Sequence, residues 1–199
     1  MTVLEAKKLC ELAHKGQYRR AIDVDGEDNP YLVEVLNNAN PDDEDYICKD
    51  GTLIKGIDTI TWTVSVPYSS HSIAVADLLT TDEEKVVGYL HDVVEDTEWQ
   101  LSEVTHEAGT IHSIVHTPSN DGGYFEQKSI GLKANIYNSL KLLTKSPKQN
   151  YQAYIFNISR CHLATKVKLA DISHNLSCNP AEHAKEKYLR AIPFLLNAL

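Results

Sequence analysis

Between Tyr89 and Thr97 the chain reads Tyr-Leu-His-Asp-Val-Val-Glu-Asp-Thr, which gathers one imidazole, His91, and three carboxylates, Asp92, Glu95 and Asp96. On a helix Asp92 and Asp96 lie one turn apart, as do His91 and Glu95, and Asp92 and Glu95 are three apart, so these pairs share a face. They flank an apolar stripe of Val87, Leu90 and Val94 at i, i+3 and i+7. Carboxylates beside apolar surface repel one another and lose solvation. A divalent cation removes that conflict. An adjacent His–Asp pair also arises by chance, and Glu95–Asp96 reads equally well as a solvated helix end, so the rest of the chain must decide.

The elements that position these residues read as helices. Thr81 and Glu84 have the capping-box spacing and start the helix that carries His91. The helix before it, Ser70 to Leu79, has His71, Ala74, Val75 and Leu78 on one face. A lone histidine on such a face is more often a satisfied core residue than a ligand. An antiparallel helix pair would nevertheless bring His71 near His91. Residues 2–16 read as a first helix, ended by Gly16 and followed by Gln17-Tyr18-Arg19-Arg20. Adjacent arginines are usually solvated, and they are also suited to bidentate grip on phosphate.

Residues 22–66 are acidic, with turn signals at 25–30 and 40–43. Thr59 to Val66 alternates as a strand does, with Thr52 to Lys55 a candidate partner. Asp23-Val24-Asp25-Gly26 matches a calcium loop only superficially, because the glycine comes too early and the closing glutamate is missing. Further on, residues 98–106 suggest the start of a helix. Residues 107–130, with His106, His112 and His116 at or beside them, read as a loop, and those histidines are too irregular for a helical metal site. Helices follow at Leu132–Leu143, Tyr151–Arg160, His162–Leu176 and Glu182–Leu199. The expectation is one domain, 1–199, mainly α, with insertions at about 22–66 and 107–131.

The chain has 199 residues, 42% hydrophobic and 24% charged, as an ordinary globular domain does. No run reaches the roughly 20 apolar residues of a membrane span, and the N-terminus reads as a helix start, not a signal peptide. Four scattered cysteines without a C-x-x-C pair read as reduced thiols of a cytoplasmic protein. From Ile22 to Asp50 there are ten acids and one base, so this segment carries the whole net charge of -9. The remainder is neutral and compatible with an anionic substrate; the acidic segment is unsuited to nucleic acid.

Four stretches in order carry a resemblance: Gln17-x-Arg19, Pro67-Tyr68-x-x-His71, His91-Asp92-Val93-Val94-Glu95-Asp96-Thr97, and Lys168-Leu169-Ala170-Asp171-x-x-His174-Asn175. The chain resembles the HD-domain hydrolases of the RelA/SpoT type over about residues 2–20, 67–105 and 132–199. The resemblance implies an HD helical bundle with a small β-containing acidic insertion. It implies removal of the 3′-pyrophosphate from the guanosine tetra- and pentaphosphate alarmones of the stringent response. It makes His71, His91, Asp92 and Asp171 ligands of a divalent metal, typically Mn²⁺. It makes Glu95 and Asp96 the pair that handles the attacking water, and Arg19 and Asn175 substrate contacts. Lys145, Lys166, Lys168 and Arg20 are further candidates for neutralising phosphate. The implied partner is a small nucleotide, with no nucleic acid and no membrane; a homo-oligomer is compatible with it. The two insertions depart from the family pattern, and both flank the expected mouth of the site. An HD phosphohydrolase acting on another nucleotide or a phosphorylated cofactor is the alternative. A binding protein with a residual metal site is the third reading.

Overall fold

The computed structural model describes residues 1–25, 45–47, 53–56, 61–106, 109–116, 130–178 and 180–199. The chain divides into two compact units, His14–Ser70 on one side and Met1–Ala13 with His71–Leu199 on the other. The second is mainly helical. It contains α1 (Val3–Ala13), α2 (Ser69–Asp77, apart from its first two residues), α3 (Asp82–Leu90), α4 (Val93–Asp96), α5 (Ala134–Leu143), α6 (Tyr151–Ser159), α7 (His162–Ser177) and α8 (Glu182–Leu196). No helix among the described residues is long and apolar enough to cross a membrane.

α7 is the axis of the bundle. It packs against α3, α5, α6 and α8, so apolar residues recur around it instead of forming one stripe. Val167 and Ile172 are fully buried along it, and so are Thr165 and, at 3% exposure, Asp171. α3 lies against α1, α5 and α7, and contributes Val86, Val87 and Leu90 to the same core. Burying each such side chain stabilises the bundle by roughly 1.5–3 kcal/mol.

The start of α3 is fixed by its sequence. Thr81 accepts from the backbone of Glu84, and Glu84 Oε2 accepts from the N–H groups of Thr80 and Thr81 at 3.0 Å each. The expected capping box is thus present, and Lys166 of α7 donates to the other Glu84 oxygen at 2.7 Å. Burial opposes a charge on Glu84, but Lys166 and the two N–H groups outweigh it and lower its pKa to about 2. Lys133 and Asn135, at the head of α5, hold neighbouring Glu83.

Several boundaries differ from expectation. The helix carrying His91 does not run on to Thr97: α3 stops at Leu90, and His91 and Asp92 form the turn before the short α4. Val93 is fully buried in place of Val94, and Leu78 is 57% exposed instead of sharing the buried face with His71 and Val75. Residues 98–106 are not helical. Trp99–His106 is strand β5, paired with β6 (Gly109–His116), which pairs with β7 (Ile130–Leu132) in a three-stranded antiparallel sheet. The backbone hydrogen bonding of this hairpin joins Trp99 to His116 in register, a partner that local composition does not reveal. The side chains of His106, His112 and His116 lie outside what the structure describes, as do the turn signals at 26–30 and 40–43.

The unit His14–Ser70 is built on a four-stranded antiparallel sheet. It contains β1 (Tyr18–Asp25), β2 (Asp45–Ile47), β3 (Leu53–Gly56) and β4 (Thr61–Pro67), in the order β1-β4-β3-β2. The two expected strands do pair, Leu53 opposite Ser65. Asp23 and Asp25 belong to β1 and not to a calcium loop.

Gly88 is where α3 meets the end of α2. A Cβ there would stand 2.8 Å from Leu79 Cδ1, and also 3.1 Å and 3.3 Å from the Ala76 Cα and N atoms. Leu79 can swing aside, but the Ala76 backbone moves only with its helix. Gly88→Ala is therefore expected to lose roughly 1–2 kcal/mol of stability in urea unfolding, despite the gain in helix propensity, and Gly88→Val more. Glu84 gives a second expectation. Its folded pKa lies below its unfolded one, so its contribution is complete above about pH 4.5 and is lost as pH falls towards 2. Urea unfolding across that window should show Glu84→Gln removing a pH-dependent part on the order of 1–2 kcal/mol, less than the full shift implies because the Lys166 side chain is partly exposed and solvent screens the pair.

Candidate metal centre

Three separate helical segments meet at the inner end of α3. α2 supplies His71, the α3–α4 turn supplies His91 and Asp92, and α7 supplies Asp171. His71, His91 and Asp171 are buried to 2–3% exposure, and Asp92 is half-buried. His71 Nε2 lies 3.1 Å from Asp171 Oδ1 and 3.5 Å from Asp92 Oδ2. His91 Nε2 lies 3.2 Å from Asp92 Oδ1 and 3.8 Å from Asp171 Oδ1. One donor atom from each of His71, His91 and Asp92 falls within 4.8 Å of the others.

The hydrogen bonds around this cluster point its lone pairs inward. His91 Nδ1 donates to Gly88 O at 2.7 Å, which leaves the lone pair on Nε2. That atom is buried and makes no hydrogen bond. Lone pairs of an imidazole and of two carboxylates facing one another need a positive charge between them. Burial opposes a second proton on His91, while Asp92 and Asp171 outweigh it and raise the pKa to about 9. A divalent metal ion meets the same demand. Metal–donor bonds of about 2.1 Å put neighbouring donors roughly 3–4 Å apart, the spacing found here. Two imidazoles and two carboxylates also suit a first-row divalent ion such as Mn²⁺.

Around Asp171 the structure adds groups that orient it. Lys168, one turn earlier on α7, donates to Oδ2 at 2.6 Å, and Asn175, one turn later, donates to Oδ1 at 2.5 Å. Burial opposes the Asp171 charge, but Lys168 and the two histidines outweigh it and hold its pKa well below the usual range. His174 is a residue that sequence reasoning passes over, although it lies in the quoted Lys168–Asn175 stretch. Its Nδ1 is 2.7 Å from His71 Nδ1, and the rings are 4.7 Å apart. With His71 Nε2 facing the carboxylates, Nδ1 is the donor and His174 fixes the His71 tautomer. The available signal was spacing: Asp171, His174 and Asn175 stand at i, i+3 and i+4.

The remaining expected residues divide. Glu95 is at the surface beside the cluster and accepts the Lys145 N–H at 2.9 Å. The surrounding protein first, then the charges of Asp92 and Asp96, raise its pKa against that hydrogen bond. Glu95, Asp96, Tyr137, Lys141 and Lys145 line a cavity of about 630 Å³. A larger cavity, about 820 Å³, lies between α6 and α8; neither cavity is lined by any of the four inward-facing groups, and the smaller one takes in Glu95 and Asp96 of the α4 turn that follows Asp92. Lys166 is committed to Glu84 and Lys168 to Asp171. Arg19 belongs to the unit His14–Ser70, where its guanidinium lies 5.5 Å over the Tyr68 ring. The Arg20 side chain lies outside what the structure describes.

No protein-family model and no curated protein sequence matches the chain. Among solved structures it is similar to a metazoan ortholog of SpoT, described as hydrolysing ppGpp and playing a role in starvation responses. The identity is 15% and the TM-score 0.49, covering 98% of this chain and 84% of that one.

If this cluster holds a divalent ion such as Mn²⁺, His174→Leu is expected to weaken its binding roughly ten- to hundredfold, because His71 loses the partner that sets its tautomer. Asp171→Ala would then remove stoichiometric metal. Titration in a metal buffer checks the first and elemental analysis of purified protein the second; unchanged affinity for His174→Leu would show the pair to be mere packing.

Proposed function

We propose that this protein is a metal-dependent phosphohydrolase that removes the 3′-pyrophosphate from guanosine tetra- and pentaphosphate. The observation that carries the reading is the convergence of His71, His91, Asp92 and Asp171, with His91 Nε2 buried and without a hydrogen bond. The donor set and the four ordered motifs support the reading together; either alone supports much less.

The residues divide the work. When bound, a divalent ion would acidify water and polarise a phosphoryl oxygen. Hydrolysis adds water across the 3′ phosphoester bond: its oxygen goes to phosphorus, and its protons end on the released groups and solvent. Glu95 and Asp96 would orient that water and take its proton. The raised pKa of Glu95 suits this, because it brings the carboxylate closer to neutral pH. The backbone of Lys145 holds Glu95 in place, and the Lys145 and Lys141 side chains line the same cavity. Asn175 would act first on Asp171, to which it is hydrogen bonded. Arg19 would be a substrate contact.

A second reading is an HD phosphohydrolase for another nucleotide or a phosphorylated cofactor. One observation favours it. Leu101 of β5 lines the cavity beside Glu95, and β5 pairs with β6 of the segment at about 107–131, so the sheet that this segment completes would border the substrate.

With Mn²⁺ present, the protein is expected to release pyrophosphate from guanosine tetraphosphate, and Asp92→Ala to lower kcat at least a thousandfold. Ion-exchange separation of the products across a nucleotide panel is the measurement. Turnover of another nucleotide with none of guanosine tetraphosphate would transfer the assignment to the second reading. No turnover of any of them would end the hydrolase reading.

A further inference from the structure

α8 carries more apolar surface than its packing uses. It lies against α6 and α7, where Ala191 and Leu195 are buried and Tyr188 and Ile192 pack beside them. Tyr188, Ala191, Ile192 and Leu195 stand at i, i+3, i+4 and i+7, so this one stripe suffices to hold the helix to the bundle. A second stripe with the same spacing runs next to it, through Leu189, Ile192, Pro193 and Leu196. Leu189 is 50% exposed and Leu196 55%, and Pro193 is exposed between them. Scattered exposed leucines are ordinary. These residues instead share one face over two turns, with no charged residue among them on that face. Pro193 sits inside the helix. There it gives up the hydrogen bond to the Leu189 carbonyl, and its ring adds apolar surface on the outward side.

The charges at the two ends of the stripe decide what fits it. The last turn of α8 has no basic residue of its own to offset the negative end of the helix dipole. One turn before Leu189, on the same face, stands Lys185. Its pair with Glu182 is 3.8 Å long and exposed on both sides, so the pair holds it weakly. A second α8 laid antiparallel over the stripe sets Leu189 against Leu196 of the other copy, and Ile192 against Pro193. The same pairing carries each Lys185 to the carbonyl end of the other helix, and symmetry makes the contact twice. A parallel pairing would oppose Lys185 to Lys185 and Glu182 to Glu182. Apolar stripe and charged ends are thus complementary to a second copy in the antiparallel order.

We propose that this face of α8 forms a two-fold symmetric, antiparallel contact between two copies of this chain. Two turns of helix cover less than the about 800 Å² per partner of a standard interface, so the dimer is weak and forms at micromolar concentrations. The inference is independent of the hydrolase reading, because His71, His91, Asp92 and Asp171 all lie outside α8.

The test is sedimentation of the whole chain at concentrations up to about 500 µM. The parental chain is expected to dimerise with a Kd on the order of 10–100 µM. Leu196→Lys, which places a charge opposite Leu189 of the other copy, is expected to raise that Kd roughly tenfold or more. Lys185→Glu should raise it by a smaller factor. Leu4→Lys, at an exposed leucine of α1, should leave it unchanged. Thermal melts confirm that each variant is folded. Cysteine cross-linking reads the direction, in a Cys178→Ser background that removes the exposed thiol. Mild oxidation of Leu189→Cys mixed with Leu196→Cys is expected to link the two different chains, and Leu189→Cys alone to give no such link. A parental chain that stays monomeric throughout overturns the proposal. So does a dimer that Leu196→Lys leaves intact, or that Leu4→Lys weakens equally. Efficient linking of Leu189→Cys to itself would overturn the antiparallel arrangement.

Discussion

The structure depends on one electrostatic constraint: two carboxylates and two imidazoles face one another where little water reaches them. Taking a carboxylate out of water is unfavourable by several kcal/mol unless a positive charge or several hydrogen bonds compensate. Asp171, at 3% exposure on the most enclosed helix of the bundle, carries the heaviest form of that penalty. Lys168 offsets part of it by holding the outer oxygen. The inner oxygen accepts from Asn175 and faces His71 and His91, where a proton or a metal ion would supply the rest of the compensation. The choice is not symmetrical. A proton on His91 Nε2 satisfies one imidazole, whereas an ion would answer several of these groups at once.

The bundle is arranged so that this convergence follows from ordinary packing. α7 is buried by four neighbours, so a polar residue on any of its faces points into protein, and Asp171 needs no special backbone to be buried. The close approach at Gly88 brings α3 to the end of α2, the helix whose first buried residue is His71. Gly88 also supplies the carbonyl that orients His91. One residue without a side chain thereby sets a helix separation and a histidine tautomer together. The capping box at Thr81 and the ion pair from Glu84 to Lys166 fix the far end of α3 against α7. α3 is thus held to α7 by a salt bridge at its start and by the cluster at its end.

Much of this was readable in the sequence, because local rules and tertiary demands agree there. Apolar spacing locates the helices on either side of Thr81, and Thr81 with Glu84 marks the start of one of them. The break after Leu90 was less legible: the apolar period continues through Val94, and only the packing of Val93 shows that the helix has turned. The sheet β5–β6–β7 was illegible for a different reason. Residues 107–130 are rich in Gly, Ser, Thr and Asn, which read as loop, and the pairing of Trp99 with His116 is set across the hairpin and not along the chain. His71 was ambiguous for a third reason. Its helical face looks the same whether the ring is a core residue or faces carboxylates, and the distinction lies on α7, a hundred residues away. His174 was missed because its role is to hold another side chain, and such roles leave no composition signal.

The division between legible and illegible parts follows a division of labour. Groups that must meet at distances near 3 Å are carried by helices locked into one core, where a shift of one element moves several side chains at once. Such groups tolerate few sequence solutions, and the pattern shows through. The elements that shape the cavity beside Glu95 belong to a sheet appended to that core, and Leu101 enters its lining from β5. None of His71, His91, Asp92 and Asp171 belongs to that sheet. On the proposed reading, the metal chemistry and the substrate would be set by different parts of the chain, and the part nearer the substrate is the one with the weaker sequence signal.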